Sequence, residues 1–405
     1  MEKKMTLAVI GCGEFAKCFV PLFKAHPMVE KVYVCDKIPE KAQKYREEFD
    51  VETIDSLETV LARKEIDSIA VFVQRHLHGP VVKAALAAGK NVYSAVPMAS
   101  SVDECREIVK MVEKTGLTYM MGETCVYYPC AMFCKQEYEK GTFGKFVYGE
   151  SQYYHDISHF PEDFRKDKPS SAVPPFYYPT HSTAMILHAT GAHVVKVTGV
   201  GYRDTEPDTP YQEGANPWNN PFSNEYSLMQ LSDGSVARVN ECRRIGYKAP
   251  SSCISGFYGT QGSYQFSNAQ HLITSLTKQG VRLRDVSDEV NPVPMTAAKG
   301  EENFKERVAN HEWQWTDPSP VQEAELARLP EAFAGLTSGH MCSHALLVDD
   351  FCKAVYRHEL PRVNAWQAAR FTIPGLMAHE SAMRGGELMD VPDMGDAPKS
   401  WPPRR

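Results

Sequence analysis

A glycine-rich turn between an apolar strand and a helix is the feature that most constrains the fold of this chain. The turn reads Gly11-Cys12-Gly13-Glu14-Phe15-Ala16; it follows the apolar run 6–10 and opens a helix predicted over 14–25. In such a turn the first glycine makes the bend, and the second lets the backbone approach a pyrophosphate. A small residue at Ala16 allows the helix to lie close to the strand, and the helix N-terminus offers amide donors to the anion. The turn therefore predicts a dinucleotide site that includes Gly11, Gly13, Glu14, Phe15 and Ala16.

An acidic residue at the end of the second predicted strand favours NAD over NADP. Asp36 lies 23 residues after Gly13 and is followed by Lys37. A carboxylate in this position can bind the hydroxyls of the adenosine ribose, whereas a 2′-phosphate would meet a negative charge. We therefore expect Asp36 and Lys37 at the adenosine end of NAD.

Strands and helices alternate through the first third of the chain. This alternation predicts crossover units and a parallel sheet, so residues 1–124 are expected to form a Rossmann-type NAD-binding domain. The predicted strands span 6–10, 31–35, 68–73, 91–93 and 117–121, and the predicted helices span 14–25, 57–63, 80–88 and 102–115, with a further helix opening at 39.

Strands dominate after residue 125, where a helix over 129–140 is followed by a new pattern. The fold class predicted for the whole chain is α/β plus α+β, with residues 125–405 forming a domain built on an open, mainly antiparallel sheet. Asp233-Gly234 between two strands indicates a hairpin. Segment 297–335 is expected to be a charged insertion, and the helices 344–357 and 365–383 are expected to return toward the first domain. The predicted strands span 146–154, 194–202, 226–231, 236–242, 252–256 and 263–266.

Composition limits the classes of partner. A chain of 405 residues with 43% hydrophobic residues is long enough for two domains. A net charge of −7 argues against nucleic acid or an anionic membrane as partner. No apolar segment resembles a signal peptide or a membrane span, and the 11 scattered cysteines indicate reduced thiols, so we expect a cytoplasmic protein. Cys130 and Cys134 lack a second ligand pair, so no metal site is predicted.

Several segments resemble the family of glucose-fructose oxidoreductase, inositol dehydrogenase and related sugar dehydrogenases. Besides the glycine-rich turn, they are Gln74-Arg75-His76-Leu77-His78, Ala87-Ala88-Gly89-Lys90-Asn91-Val92, Gly259-Thr260-Gln261-Gly262-Ser263 and Ala378-His379-Glu380-Ser381-Ala382. The resemblance implies that Gln74, His78, Ala95 and Pro97 also lie at the cofactor. Members usually read Glu-Lys-Pro where this chain reads Ala95-Val96-Pro97, and valine cannot move a proton. They also often carry an Asp four residues before a catalytic His, where this chain has Tyr177 before His181.

A narrower resemblance accounts for the missing lysine. In the NAD-dependent glycosidases of glycoside hydrolase family 109, the lysine is also replaced by valine. The motifs of that branch are similar to Met121-Gly122-Glu123-Thr124-Cys125-Val126-Tyr127, Glu150-Ser151-Gln152-Tyr153-Tyr154-His155-Asp156 and Tyr178-Pro179-Thr180-His181. The resemblance implies catalytic roles for Glu123, Tyr153, His155, Tyr178 and His181. The segment after His181 departs from the branch, which leaves the sugar open.

The resemblance implies a reaction in which bound NAD takes a hydride from a pyranoside carbon. The resulting ketone acidifies the C2 hydrogen, the C1 substituent leaves by elimination, water adds, and the hydride returns. His181 is expected to face the oxidised hydroxyl, and Tyr178 or Tyr153 to handle the C2 proton. Glu123 and His155 would orient the sugar or assist the leaving group.

Two other functions remain open from the sequence: a plain NAD-dependent sugar dehydrogenase with His181 as base, and a sugar or dinucleotide sensor without catalysis. The residues also allow structural roles, since Tyr153 and His155 can be sheet packing, and Glu123 can be a surface or capping group. The roles of Trp218, Arg243, Arg244, His340 and His344 are left undecided. A small-molecule sugar or glycoside is the expected partner, and an open antiparallel sheet face predicts a homo-oligomer.

Overall fold

The first of two sheets is parallel and has six strands. A computed structural model describes residues 4–157, 162–214, 216–246, 251–267, 270–293 and 316–401. The sheet has the strand order β3-β2-β1-β4-β5-β6 and every neighbouring pair is parallel. Its strands are β1 Met5–Ile10, β2 Val29–Cys35, β3 Glu52–Thr53, β4 Ser68–Val71, β5 Asn91–Ser94 and β6 Tyr119–Met121.

Helices cross between these strands, which is why the strands read as apolar runs rather than as alternating patterns. All six residues of β1 and all four of β4 are buried. The crossover helices are α1 Val20–Ala25, α2 Pro39–Phe49, α3 Leu57–Ala62, α4 His78–Ala87 and α5 Val102–Thr115. Ser101 caps α5 by accepting the amide of Glu104, and Gly116 ends it in the left-handed conformation. This is the Rossmann-type sheet that the sequence predicts.

The second sheet has nine strands in the order β14-β13-β12-β11-β7-β10-β9-β8-β15. It is mostly antiparallel, and its one parallel pair joins β7 to β10. The hairpin predicted at Asp233-Gly234 joins β9 to β10, with Gly234 at a φ of 87°. The strands are β7 Phe146–Tyr154, β8 Val194–Arg203, β9 Phe222–Leu231, β10 Val236–Cys242, β11 Ser252–Gly259, β12 Gly262–Ser267, β13 Gln270–Thr277, β14 Gly280–Asp285 and β15 Met389–Asp390.

Helices cover one face of this sheet and leave the other face open. The remaining helices are α6 Pro129–Glu139, α7 Glu162–Lys166, α8 Lys168–Ser171, α9 Thr180–Thr190, α10 Ser287–Val290, α11 Glu323–Leu326, α12 Ser343–Arg357 and α13 Ala365–Met383. The covering helices α9 and α13 contact β7 and β8. On the uncovered side Val200 and Leu228 are 57% and 50% exposed.

The long helix α13 also reaches the parallel sheet. Its Thr372 hydroxyl accepts the amide of Met98 at 3.3 Å, and the carbonyl of Val363 accepts the amide of Met121 at 3.0 Å. The expectation that the closing helices return toward the first domain stays a prediction beside these contacts. The proposed division of the chain at residue 124, directly after β6, stays a prediction.

Three local predictions from the sequence are wrong or incomplete. The helix predicted over 14–25 is a 3-10 turn at Ala16–Cys18 followed by α1, because Pro21 has no amide hydrogen and fits only the first turn of a new helix. The hairpin β13-β14 was not predicted, because every residue of β14 is exposed and the strand has no buried apolar face. Within the insertion predicted at 297–335, residues up to 315 lie outside the described residues, and the remainder contains α11 and two 3-10 turns.

The described residues contain no helix long and apolar enough to cross a lipid bilayer. All 11 cysteines lie among them as free thiols, and most are buried.

Gly199 provides a test of how α13 packs against the second sheet. A Cβ built at Gly199 would lie 2.4 Å from the carbonyl oxygen of Ala378 in α13. We expect Gly199→Ala to lower the free energy of unfolding by about 1–3 kcal/mol, as measured by urea denaturation. The reason is that the helix backbone at Ala378 cannot move aside as a flexible side chain can. Gly246→Ala is the control, since its Cβ would meet nothing within 4 Å. Equal stability of the two variants would contradict this account of the contact.

Candidate active site

The glycine-rich turn has the shape that a dinucleotide requires. Gly11 has a φ of 98°, and a Cβ there would lie 2.5 Å from the carbonyl oxygen of Phe72, so only glycine fits. A Cβ at Gly13 would meet nothing within 4 Å, which leaves open space above the second glycine. Ala16 is fully buried, whereas Glu14 and Phe15 are exposed beside the turn. These residues fit the pyrophosphate of NAD.

Asp36 is tied to the same turn. Its Oδ2 accepts the amide of Cys12 at 2.7 Å and its Oδ1 accepts the amide of Ile38 at 2.8 Å. The carboxylate is partly exposed at the end of β2, and Lys37 beside it is exposed. Each carboxylate oxygen keeps a second lone pair for a ribose hydroxyl. The geometry fits the predicted role of Asp36, and the chemistry of a carboxylate favours NAD.

The segment after β5 is held by His78. The imidazole lies between two carbonyl oxygens, with Nδ1 2.7 Å from Pro97 and Nε2 3.1 Å from Val73. Burial lowers the pKa of His78. Among the other residues expected at the cofactor, Gln74 is exposed, and Ala95 and Pro97 are buried. Both ring nitrogens of His78 are thus in contact with protein carbonyls, and His78 positions the segment that contains Pro97.

Glu123, His181 and Tyr178 form one hydrogen-bonded chain. Glu123 follows β6, and its Oε1 lies 2.7 Å from Nδ1 of His181 at the start of α9. The same oxygen accepts the amide of Cys125 at 2.8 Å. On the other side of the ring, Nε2 of His181 lies 3.2 Å from the hydroxyl of Tyr178. The hydrogen-bonded chain thus joins two distant segments of the sequence, one with Glu123 and the other with Tyr178 and His181.

The charge of Glu123 sets the direction of these hydrogen bonds. Burial on its own raises the pKa of Glu123, but the charge and hydrogen bonds of its partners, His181 first, hold the pKa below its usual value. A carboxylate can only accept, so Nδ1 of His181 carries the hydrogen and Nε2 is left to accept one. The second oxygen of Glu123, Oε2, is buried with no hydrogen-bond partner among the described residues. The site thus presents an oriented imidazole base backed by a carboxylate.

Tyr153 and His155 lie next to the hydrogen-bonded chain of Glu123, His181 and Tyr178. The ring of Tyr153 in β7 is 5.0 Å from that of His181 and 5.9 Å from that of Tyr178, measured between centroids. The ring of His155 is 5.4 Å from that of Tyr153. Burial raises the pKa of Tyr178 to about 12, and burial together with Arg243 and Arg75 lowers the pKa of His155 to about 4. All five residues predicted to be catalytic are therefore clustered, and His155 is uncharged at neutral pH.

Two cations in this cluster received no role from the sequence, Arg75 and Arg243, the second of which was left undecided. The guanidinium of Arg75 lies 4.1 Å from the ring centroid of Tyr178, and that of Arg243 lies 4.7 Å from the centroid of Tyr153. Arg75 stands inside the family-like segment 74–78, and Arg243 follows β10. The one sequence signal for these two arginines is their position, because each comes shortly after the end of a predicted strand. Arg243 is paired with Glu241 at 2.9 Å, and both are buried.

His340 approaches the cluster from the opposite side. Its ring centroid lies 6.4 Å from that of His181 and 5.6 Å from that of Phe15, and its Nδ1 is 2.6 Å from Nε2 of His344. His340, Met341 and Cys342 all have positive φ, at 49°, 53° and 65°. Such a run is costly for residues other than glycine and is typical of functional segments. His340 therefore lies between the glycine-rich turn and His181.

A metal ion is not required to explain the cluster. Glu123, Cys125 and His181 offer three potential ligand atoms within 4.8 Å of one another. However, Nδ1 of His181 already bonds to Glu123, and burial raises the pKa of the Cys125 thiol well above its usual value. Metal ligation needs a thiolate, so the hydrogen-bonded pair accounts better for this arrangement.

Comparison with known proteins agrees with the geometry. A family model described as an oxidoreductase family with an NAD-binding Rossmann fold matches residues 5–123. A glycosyl hydrolase family 109 protein of Streptomyces filamentosus is 23% identical over 424 residues, covering 97% of this chain and 78% of that protein. A 2,7-anhydro-N-acetylneuraminate hydratase of Mediterraneibacter gnavus is 29% identical over 150 residues, or 37% of this chain and 39% of that protein.

Solved structures share the whole fold. Levoglucosan dehydrogenase, solved with NADH and levoglucosan, superposes with a TM-score of 0.73 at 18% identity, covering 96% of this chain and 100% of that one. The match to the oxidoreductase family with an NAD-binding Rossmann fold spans residues 5–123, and the resemblance noted from the sequence is confirmed there. The chain is an enzyme of this kind, with NAD as its cofactor.

Substitution of Asp36 tests the cofactor preference. We expect Asp36→Ala to weaken NADH binding about 10-fold or more, since a charged acceptor for the ribose is lost, and to leave NADPH binding equal or improved. Fluorescence titration with the two reduced cofactors gives both affinities on one sample. Tighter binding of NADPH than of NADH to the unmodified protein would show that the assigned role of Asp36 is wrong.

Proposed function

We propose that the protein cleaves glycosides through a transient oxidation of the sugar ring that uses NAD catalytically. The single observation that carries the proposal is the buried chain from Glu123 through His181 to Tyr178. It supplies a proton carrier in a molecule where Val96, buried at 5% exposure, stands in place of the lysine that the family pattern predicts. The glycosyl hydrolase family 109 relative supports this class of reaction, and the solved levoglucosan dehydrogenase supports a sugar as substrate.

The residues at the glycine-rich turn are proposed to hold the cofactor. Gly11 and Gly13 would bind the pyrophosphate, and Asp36 would bind the adenosine ribose. When bound, NAD supplies an acceptor for a hydride from a sugar carbon and later returns that hydride. The 95–97 segment, fixed by His78, would line the cofactor with apolar Val96, so that no proton carrier comes from that side.

His181 is proposed to move the proton of the oxidised hydroxyl. Its Nε2 is the acceptor nitrogen, because Nδ1–H is donated to Glu123. As Nε2 takes the proton, the imidazolium that forms is stabilised by the carboxylate 2.7 Å away. Neither group needs to reorganise, because both are buried and already in contact. Glu123 therefore acts by positioning His181 and balancing its charge.

Tyr178 and Tyr153 are proposed to handle the second proton, at C2 of the sugar. A phenol with a pKa of about 12 keeps its hydrogen at neutral pH. Tyr178 can therefore take the C2 proton only after His181 has released the hydroxyl proton to solvent and the phenol has passed its own hydrogen to Nε2 of His181. The guanidinium of Arg75 over its ring opposes the effect of burial by stabilising a phenolate. His155, uncharged beside Tyr153, would orient the sugar or assist the leaving group.

A panel of aryl glycosides tests the reaction and the role of His181 together. Aglycone release and NADH absorbance are followed at once on protein with bound NAD. We expect aglycone release without net accumulation of NADH, and His181→Ala should lower turnover by about 10²–10⁴ while NAD stays bound. The control is His188→Ala on the same helix α9, for which we expect turnover close to that of the parent.

Other results would contradict the proposal in distinct ways. Steady NADH production from free sugars would indicate a plain dehydrogenase. Absence of both signals across the panel, with NAD bound, would indicate a sensor. Turnover of His181→Ala within a few-fold of the parent would remove His181 from the mechanism.

We also infer that the open face of the second sheet is covered by another copy of the chain. Val200, Tyr202, Leu228, Leu276 and Leu283 are each at least 50% exposed on β8, β9, β13 and β14. Apolar side chains in such numbers on one sheet are typical of an interface. The free thiols fit a reducing compartment, and we propose the cytoplasm as the setting.

Light scattering after size-exclusion chromatography tests the homo-oligomer. We expect the parent to elute as a dimer or larger, and Leu228→Asp to shift it toward the monomer, because a charge would be buried at the interface. Gln43→Asp on α2 is the control, since Gln43 is polar and exposed and does not belong to the second sheet. A monomeric parent would exclude this interface.

A further inference from the structure

A small pocket beside the catalytic cluster is lined by an unusual set of side chains. Its polar lining consists of Arg75, Tyr153, His155, Ser170, Ser171, Tyr211 and Arg243. Two arginines line it and no carboxylate among the described residues does. Because Tyr153 and His155 belong both to the catalytic cluster and to this lining, the pocket adjoins the cluster.

Arg75 supplies a positive charge that the described residues do not neutralise. Its guanidinium lies against the face of Tyr178, and it forms no ion pair with any described carboxylate. The other cation of the pocket, Arg243, has Glu241 as its partner at 2.9 Å, although burial raises the pKa of that carboxyl to about 8. A half-buried cation without a counter-charge is costly unless a ligand provides one. The charge of the pocket therefore fits an anion.

Ser170 provides a second, independent observation. Its side chain is buried at 4% exposure, and its hydroxyl has no hydrogen-bond partner among the described residues. Buried hydroxyls are almost always bonded, so this donor points to a missing acceptor. An oxygen-rich group in the pocket would satisfy both Ser170 and Arg75.

We propose that the pocket binds an anionic substituent of the sugar, a carboxylate as in a hexuronic acid or a sulfate ester. Arg75 would supply the charge, Ser170 a hydroxyl donor, and the Arg243–Glu241 pair a rigid wall. The proposal rests on the proposed function for the sugar itself, and it adds the chemical class of the substrate. Arg75 would thereby act in specificity, separately from the proton transfers assigned to His181.

Calorimetric titration of the protein loaded with NAD tests the proposal without requiring turnover. The ligands are methyl glycosides in the gluco, galacto and manno configurations, each as the neutral hexoside, the uronate and the 6-sulfate. For at least one configuration we expect an anionic form to bind about 10- to 100-fold more tightly than the neutral form, as a charge-assisted hydrogen bond provides. The tighter of the uronate and the sulfate identifies the anion.

Variants then assign the selectivity to the pocket. Arg75→Gln should reduce the ratio of anionic to neutral affinity to near one, Arg75→Lys should keep part of it, and Ser170→Ala should lower it a few-fold. Arg106→Gln is the control, because Arg106 is an exposed cation on α5 that is already paired with Asp103. Thermal unfolding and NADH titration of each variant show whether the protein is folded and holds its cofactor.

Three results would overturn the proposal. They are equal binding of neutral and anionic glycosides in all configurations, unchanged selectivity in folded Arg75→Gln, and a loss of NADH affinity in Arg75→Gln that matches its loss of anion affinity. The last result would make Arg75 a ligand of the cofactor phosphates. Anion-selective binding without glycoside cleavage would leave this proposal standing while the proposed function fails.

Discussion

The contact between Glu123 and His181 is the constraint on which the site depends. It joins the end of β6 in the parallel sheet to the first turn of α9 on the second sheet. A carboxylate with no exposed surface is costly to bury, and here the imidazole and the amide of Cys125 offset that cost. Removal of either partner would leave a buried polar group unpaired. Because the pair fixes the imidazole, it also fixes where Tyr178 meets the second ring nitrogen.

Much of the fold could be predicted from the sequence, because the parallel strands are apolar runs separated by helices with capping residues and glycine stops. Prediction failed where local pattern and burial disagree. The strand β14 has no buried face, so nothing in its alternation marks it. At Pro21 the missing amide decides where a helix restarts, which the apolar pattern of 14–25 does not reveal. The single parallel pair of the second sheet, β7 with β10, depends on tertiary packing that no local signal encodes.

The candidate site was predictable where its residues stand close in sequence. Tyr153 and His155 are two apart on one extended segment, so their side chains point to the same side. Tyr178 and His181 flank the start of α9 within one turn. The arginines of the pocket come from the ends of β4 and β10, and their meeting over two tyrosine rings requires the assembled sheets. Sequence motifs therefore identified the groups that are proposed to transfer protons, and the structure added the charged groups around them.

The contacts of α13 with both halves of the molecule have a consequence for folding during synthesis. The amides of Met98, in the segment after β5, and of Met121 in β6 are satisfied by Thr372 in α13 and by Val363 just before it, which the ribosome produces much later. A nascent chain that has emerged only as far as residue 123 therefore presents these donors, and the apolar surface around β6, to chaperones. The nucleotide-binding half should mature only after synthesis nears completion. Proteolytic loss of α13 would then dismantle both halves together, so limited digestion should yield no stable cofactor-binding fragment.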